Sequence, residues 1–438
     1  MDVAVRPPPP STGVLTLEAP AGKSEILRAL AVFATRGRGV VRRRGPDADD
    51  VLQFVAALTA LGAEIVVDRE GLRVLRGISR RAVEPARVRI EEGAAPARFL
   101  AALAATTRRP VLLETGPRLA ARPFGGLFDA LRETGARVEA SGDAPPATII
   151  GPARGGCVAA ALGGETSQFL SALLLAAPAF VEPCEFTVEG PIVSRGYVDL
   201  TVETLRAAGA RLRVGDGWWL TEPGFGPGVE TLEAPTDWSG AAPLLAVAAF
   251  LGRPVRVPGL RSGGHPDAAF AGSAAALGLD VTFAADGAEA RPRPPVRAAS
   301  PRTLDLGGCP DLAPTLAALA ALAPGGARLV GAPHLRLKES DRVEGVVALL
   351  RAAGVDAAPR DDGLEVTGAW ADPAARARAA EVGPFDAPIR GDHRLAQAAA
   401  LLGLVRPATI RGAECVSKSF PGFFERFPGA SVAAAEIR

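Results

Sequence analysis

Lysine is scarce in this sequence: Lys23, Lys338 and Lys418 are the only three among 49 basic residues. Tyrosine is scarcer still, with Tyr197 alone. The four cysteines, Cys157, Cys184, Cys309 and Cys415, lie far apart and show no metal-ligand spacing. So few cysteines in a chain of 438 residues make no disulfide framework, and reduced thiols in a cytoplasmic protein are expected. No apolar run is long enough to span a bilayer. The longest, residues 169–181, contains Pro178. The N-terminal residues carry a proline run and no apolar signal core. Excess charge is missing too. A net charge of +1 gives no global field for nucleic acid or a membrane surface. Anions, if bound, must be held by local clusters.

What is present is a core and a beat. Hydrophobic residues make up 48% of the chain, enough for two or three domains with sizeable interiors. One pattern reads helix, glycine, strand, turn, strand. It recurs with glycines at Gly62, Gly135, Gly209, Gly278 and Gly354. A second pattern reads Ala/Leu-rich helix, turn, Val-rich strand, small-residue corner. Its corners are Gly45, Gly116, Gly190, Gly259, Gly331 and Gly412. Its helices start near Lys23, Ala95, Ser167, Ser239, Asp311 and His393, the first four steps being 72 residues each. Six repeats of α/β character follow, and six suit two domains of three. The second kind of helix is apolar nearly all round, as in FLSALLLAA from Phe169, so it must be buried.

Polar residues collect before these buried helices and after the corners. The starts carry Gly22-Lys23-Ser24, Arg98, Thr166-Ser167-Gln168, Asp237-Trp238-Ser239, Asp311 and Asp392-His393-Arg394. A helix N-terminus offers unpaired N–H groups and favours anions. Taken singly, each is equally an ordinary N-cap; six in register are not so easily dismissed. After the corners come Arg118 and Arg122, then Ser194-Arg195-Gly196-Tyr197, then Lys338-Glu339-Ser340-Asp341-Arg342, then Ser417-Lys418-Ser419. Gly22-Lys23-Ser24 is no nucleotide loop, because Leu17 stands where that motif needs glycine. His393, between Asp392 and Arg394 at a helix start, is the histidine with a chemical setting. A lone lysine kept where arginine is the general choice points to a need for a compact, titratable cation.

These segments together resemble the 3-phosphoshikimate 1-carboxyvinyltransferase (EPSP synthase) family of enolpyruvyl transferases. The likeness rests on PAGKSEILRAL from Pro20, RPFGGLFDALRETGA from Arg122, TSQFLSALL from Thr166, VSRGYVDLT from Val193, CPDLAPT from Cys309, LKESDR from Leu337, GDHRLA from Gly391 and SKSFPGFF from Ser417. The resemblance implies a two-domain inside-out α/β barrel of the EPT/RTPC-like kind, with six βαββαβ-type repeats and buried helices, three repeats per domain. It implies one discontinuous domain, residues 1–19 plus 236–438, and one inserted domain, residues 20–235, with the active site in the cleft between them. It implies transfer of an enolpyruvyl group from phosphoenolpyruvate to the 5-hydroxyl of shikimate 3-phosphate, with no metal or organic cofactor, in a cytoplasmic monomer. Nucleic acid and membrane are not expected partners.

By the same resemblance, Lys23, Arg122, Gln168, Arg342, Arg394 and Lys418 bind phosphoenolpyruvate. Lys23, Ser24, Arg28, Thr166, Ser167, Gln168, Ser194, Tyr197, Asp311, His334 and Lys338 bind shikimate 3-phosphate. Asp311 is the expected base and Glu339 the expected acid, with His393 set against Glu339. Lys23 shares the proton traffic, on the argument that a lysine among cations loses its proton more easily. The chain departs from the family at four places. Residues 92–98 read Glu-Gly-Ala-Ala-Pro-Ala-Arg where Asn-Ala-Gly-Thr-Ala-x-Arg is usual. Gly22, Leu27 and His334 replace Ser, Asn and Asn. The Ala94 methyl is expected to crowd the space that glyphosate needs beyond phosphoenolpyruvate. The changed segment keeps a divergent transferase with another acceptor open as an alternative, alongside a non-catalytic metabolite-binding paralogue. Retention of Asp311, Glu339 and all three lysines speaks against the paralogue.

Overall fold

A computed structural model describes residues 1–159, 162–293 and 300–432. The chain forms two compact units, Ala21–Pro235 and Met1–Pro20 with Thr236–Arg438. Two backbone hydrogen bonds mark the crossings. Gly22 N–H donates to the Pro235 carbonyl, and Asp237 N–H to that of Pro20, both at 2.8 Å.

Six four-stranded sheets carry the repeat, three in each unit. The second repeat shows the plan. Ala86–Ile90 pairs parallel with Val111–Thr115, which pairs antiparallel with Ala147–Ile150, which pairs antiparallel with Arg137–Ala140. A parallel pair needs a crossover, and the buried helix Ala94–Ala104 supplies it. The two-domain α/β fold with six repeats is what forms. The element order within a repeat differs from the expected one: strand, buried helix, strand, outer helix, strand, strand. The overlooked element is the parallel edge strand, which precedes its buried helix in every repeat but the first, where Thr231–Glu233 returns from the end of the unit to pair with Gly39–Arg42. It is as short as Leu15–Thr16 or Phe385–Asp386, too short to show a period of two.

The six buried helices are Lys23–Arg36, Ala94–Ala104, Gln168–Ala176, Trp238–Leu251, Ala313–Ala320 and His393–Gly403. The first three pack on one another in a core of their own, and so do the last three. Every residue from 394 to 403 is buried, which explains why these helices lack a polar face. The outer helices are amphipathic and cover the sheets. Five of them end at the glycines of the first pattern, which all have φ between +87° and +91°. That left-handed turn admits glycine at little cost, so the repeat is written most plainly there.

Candidate active site

In the unit Ala21–Pro235, the starts of the three buried helices meet through arginines. Arg28 is buried, and its Nε donates to Thr201 Oγ1 at 2.8 Å and its NH2 to the Tyr197 carbonyl at 3.0 Å. Its guanidinium also stacks 5.4 Å from the Phe99 ring and 5.7 Å from the Tyr197 ring. Burial pulls it down to about 10, so it stays charged at neutral pH. Arg98, 1% exposed, donates to Gln168 Oε1 at 2.7 Å and lies between the rings of Phe124 and Phe169. Its NH2 donates to the Pro123 carbonyl, next to the buried Arg122. Thr166 Oγ1 accepts from Gln168 N–H at 3.2 Å. Ser167 and Ser194 are buried, and Ser194 has φ +55°, a conformation that costs a residue with a side chain. Ala94 opens its helix fully inside. Glu92, the carboxylate that replaces an amide, is met by Arg118 at 3.5 Å.

Lys23 ends on Asp50 Oδ2 at 2.7 Å. The expectation set Lys23 among cations, whereas its close partner within this unit is a carboxylate only 3% exposed.

The other unit holds a denser cluster. Arg342, 1% exposed, donates from Nε to Asp392 Oδ2 at 2.9 Å, from NH1 to Asp311 Oδ1 at 2.7 Å and from NH2 to Glu339 Oε2 at 2.7 Å. Lys338 Nζ reaches Asp311 Oδ1 at 3.2 Å, and Lys418 Nζ reaches Glu339 Oε1 at 3.3 Å. Burial disfavours the charge on Asp311, but Lys338, Arg342 and Arg394 hold its carboxyl well below the usual carboxylate range. Burial likewise disfavours the charge on Arg342, and Asp392, Glu339 and Asp311 more than reverse it. Asp392 caps the helix His393–Gly403 by accepting Arg394 N–H at 2.9 Å. His393 Nδ1 stands 3.8 Å from the same carboxylate. His334 is buried, and neither ring nitrogen has a hydrogen-bond partner among the described residues. Cys309 lies beside this cluster, but burial pushes its thiol up to about 12, so it is no nucleophile.

All three lysines therefore end on carboxylates: Asp50, Asp311 and Glu339. Two of these pairs, and a third contact, repeat with the fold. Lys23 meets Asp50, Asp311 meets Lys338, and the Ser239 hydroxyl bonds the Asp267 carboxylate. In each, a residue at the start of a buried helix meets one just past the next corner. Sequence reasoning read four of the six corners for chemistry and passed over those at Gly45 and Gly259. The same positional rule, applied there, leads to Asp50 and Asp267. Among the described residues no group of acidic, histidine or cysteine side chains has the arrangement to hold a metal ion.

Over residues 8–427 the sequence matches the family EPSP synthase (3-phosphoshikimate 1-carboxyvinyltransferase). The chain belongs to this family. Curated relatives named 3-phosphoshikimate 1-carboxyvinyltransferase include one from Bordetella petrii, 34% identical over 92% of this chain and 90% of the relative. Another, from Methanosphaerula palustris, is 36% identical over 94% and 95%. The fold is that of EPSP synthase from Acinetobacter baumannii, with a TM-score of 0.75 at 23% identity over 99% of this chain and all of that one. It is also that of the enolpyruvyl transferase NikO from Streptomyces tendae, with a TM-score of 0.71 at 18% identity over 98% of each chain.

Proposed function

We propose that the protein transfers the enolpyruvyl group of phosphoenolpyruvate to the 5-hydroxyl of shikimate 3-phosphate and releases phosphate. The observation that carries this reading is the Asp311, Lys338, Glu339, Arg342, Lys418 cluster in a chain of this family. Five ionisable groups in mutual contact supply what the chemistry asks for: cations for phosphate and carboxylate, and carboxylates for proton transfer. Lys23, Arg122, Gln168, Arg342, Arg394 and Lys418 hold phosphoenolpyruvate in this reading. Lys23, Ser24, Arg28, Thr166, Ser167, Gln168, Ser194, Tyr197, Asp311, His334 and Lys338 hold shikimate 3-phosphate.

Addition needs a base at the hydroxyl and an acid at the methylene carbon, and elimination reverses both. Asp311 takes the hydroxyl proton and Glu339 delivers one to carbon. Held ionised by Lys338, Arg342 and Arg394, Asp311 by itself is a weak base. Substrate anions share Lys338, Arg342 and Arg394, which raises its proton affinity when the substrates are present. The reading includes a cytoplasmic monomer acting on two small anions. No helix among the described residues is long and apolar enough to cross a membrane.

Phosphate release with both substrates tests the activity. Asp311→Asn and Glu339→Gln should each lower kcat by about 10²-fold or more, the usual worth of a general acid or base. Turnover only with a different acceptor would favour the divergent transferase. Binding without turnover would favour the paralogue.

A further inference from the structure

Pro243 lies inside the buried helix Trp238–Leu251. Proline has no N–H, and its ring crowds the carbonyl four residues back, here that of Ser239. Ser239 is buried, where a carbonyl without a donor is costly. The structure fills the gap from another helix. Arg394 NH1 donates to the Ser239 carbonyl at 2.6 Å and to Gln397 Oε1 at 3.2 Å. The Ser239 hydroxyl is bonded in turn to the Asp267 carboxylate, which is fully buried. Asp267 is fixed by its own turn, its N–H donating to His265 Nδ1 at 3.0 Å.

NH1 of Arg394 is thus tied back. Its Nε–H is buried and has no hydrogen-bond partner among the described residues, in a side chain that is 4% exposed overall. The Nε edge of a guanidinium is one side of a planar fork that fits a carboxylate. Tying NH1 decides where that fork points.

We propose that Pro243, Ser239 and Asp267 form a positioning anchor that orients the Arg394 guanidinium, so that its Nε edge receives the carboxylate of a small substrate. The anchor rests on the substrate reading above for the identity of that anion, and on the geometry alone for its own existence. The proline gives up one helical hydrogen bond, and the carbonyl it releases becomes the seat of the arginine.

Pro243→Ala is the direct test. It restores an N–H at position 243, which competes for the Ser239 carbonyl. Removing a proline from a helix interior should leave the thermal midpoint unchanged or raise it. The anchor nonetheless requires KM for phosphoenolpyruvate to rise about tenfold, the worth of one hydrogen bond from a charged donor. KM for shikimate 3-phosphate should stay nearly constant. Asp267→Ala should shift KM the same way, and Asp267→Asn, which keeps an acceptor for the Ser239 hydroxyl, should restore it. A folded Pro243→Ala variant with unchanged KM for phosphoenolpyruvate would overturn the proposal. If the native protein turns over neither substrate, the substrate reading fails, and a crystal structure of unliganded Pro243→Ala decides the anchor. Release of Arg394 from the Ser239 carbonyl supports it, and persistence of that contact refutes it.

Discussion

His334 is a buried ring held neutral by its surroundings. Burial and the nearby Lys338 pull it down to about 4, with Asp311 opposing. In the unfolded chain the same ring takes a proton near pH 6.5. Between these values the unfolded chain binds a proton that the folded one refuses, so stability rises with pH from about 4 to about 6.5 and levels off above. The full span is worth up to about 3 kcal/mol. His334→Asn removes that contribution. Thermal midpoints at about pH 7.5 and about pH 4.5 should therefore differ more in the native protein than in the variant. Equal differences would show that the ring is not where the structure puts it. At this scale the sequence was legible where a residue type was rare. Three lysines in 438 residues stand out, and each ends on a carboxylate. Asp50, Asp267 and the structural part of Asp392 were harder, because 48 acidic residues offer no such contrast.

At the level of elements, one cap serves two purposes. Asp392 Oδ1 accepts the Arg394 N–H that starts a buried helix, while Oδ2 accepts from Arg342 Nε and from Ser340 Oγ. An asparagine is as good a cap as an aspartate, but it has neither the negative charge nor the second acceptor oxygen that takes Arg342 Nε. Asp392→Asn should fall between the native protein and Asp392→Ala in denaturant midpoint. The alanine loses the cap, about 1 kcal/mol, and leaves a buried arginine short of a charge, which costs about 3–5 kcal/mol. An unchanged midpoint for Asp392→Ala would remove Asp392 from both roles. The buried helices were readable beforehand because they are long and apolar on every side, and the outer ones because each ends at a left-handed glycine. The parallel edge strands were not, since two to five residues carry too little pattern and are defined by their partners. Pro243 could be seen in the sequence, but the carbonyl it releases acquires meaning only when Arg394 arrives from 155 residues away.

On the scale of the whole chain, the sixth repeat is completed by the first strand. Asp2–Val5 pairs antiparallel with Ala408–Arg411 on one side and with Ala430–Val432 on the other. In the other five repeats the strands equivalent to Ala430–Val432 and Asp2–Val5 are joined as a hairpin, as Glu64–Val67 and Gly71–Arg76 are. Here Val3 faces Val432 across that same position with no turn between them. The repeat therefore has no obligatory break in its sixth copy, and the opening should move to any equivalent hairpin whose turn is exposed. Arg69 and Glu70 form such a turn, closed by the Asp68 N–H donating to Gly71 at 3.0 Å. A permuted chain can be made by joining residue 432 to residue 2 through a short Asn-Gly type turn and opening between Arg69 and Glu70. Such turns match the twist of the strands they connect. Among the described residues the change gives up one buried contact, the Ala413 N–H bond to the Met1 carbonyl at 2.9 Å, so the permutant should still unfold cooperatively and release phosphate at close to the native rate. A permutant that folds but is inactive would mean that Asp2–Val5 does more than fill a place in its sheet. One that fails to fold would mean that the six sheets, alike in strand order, are not interchangeable in the order they must form.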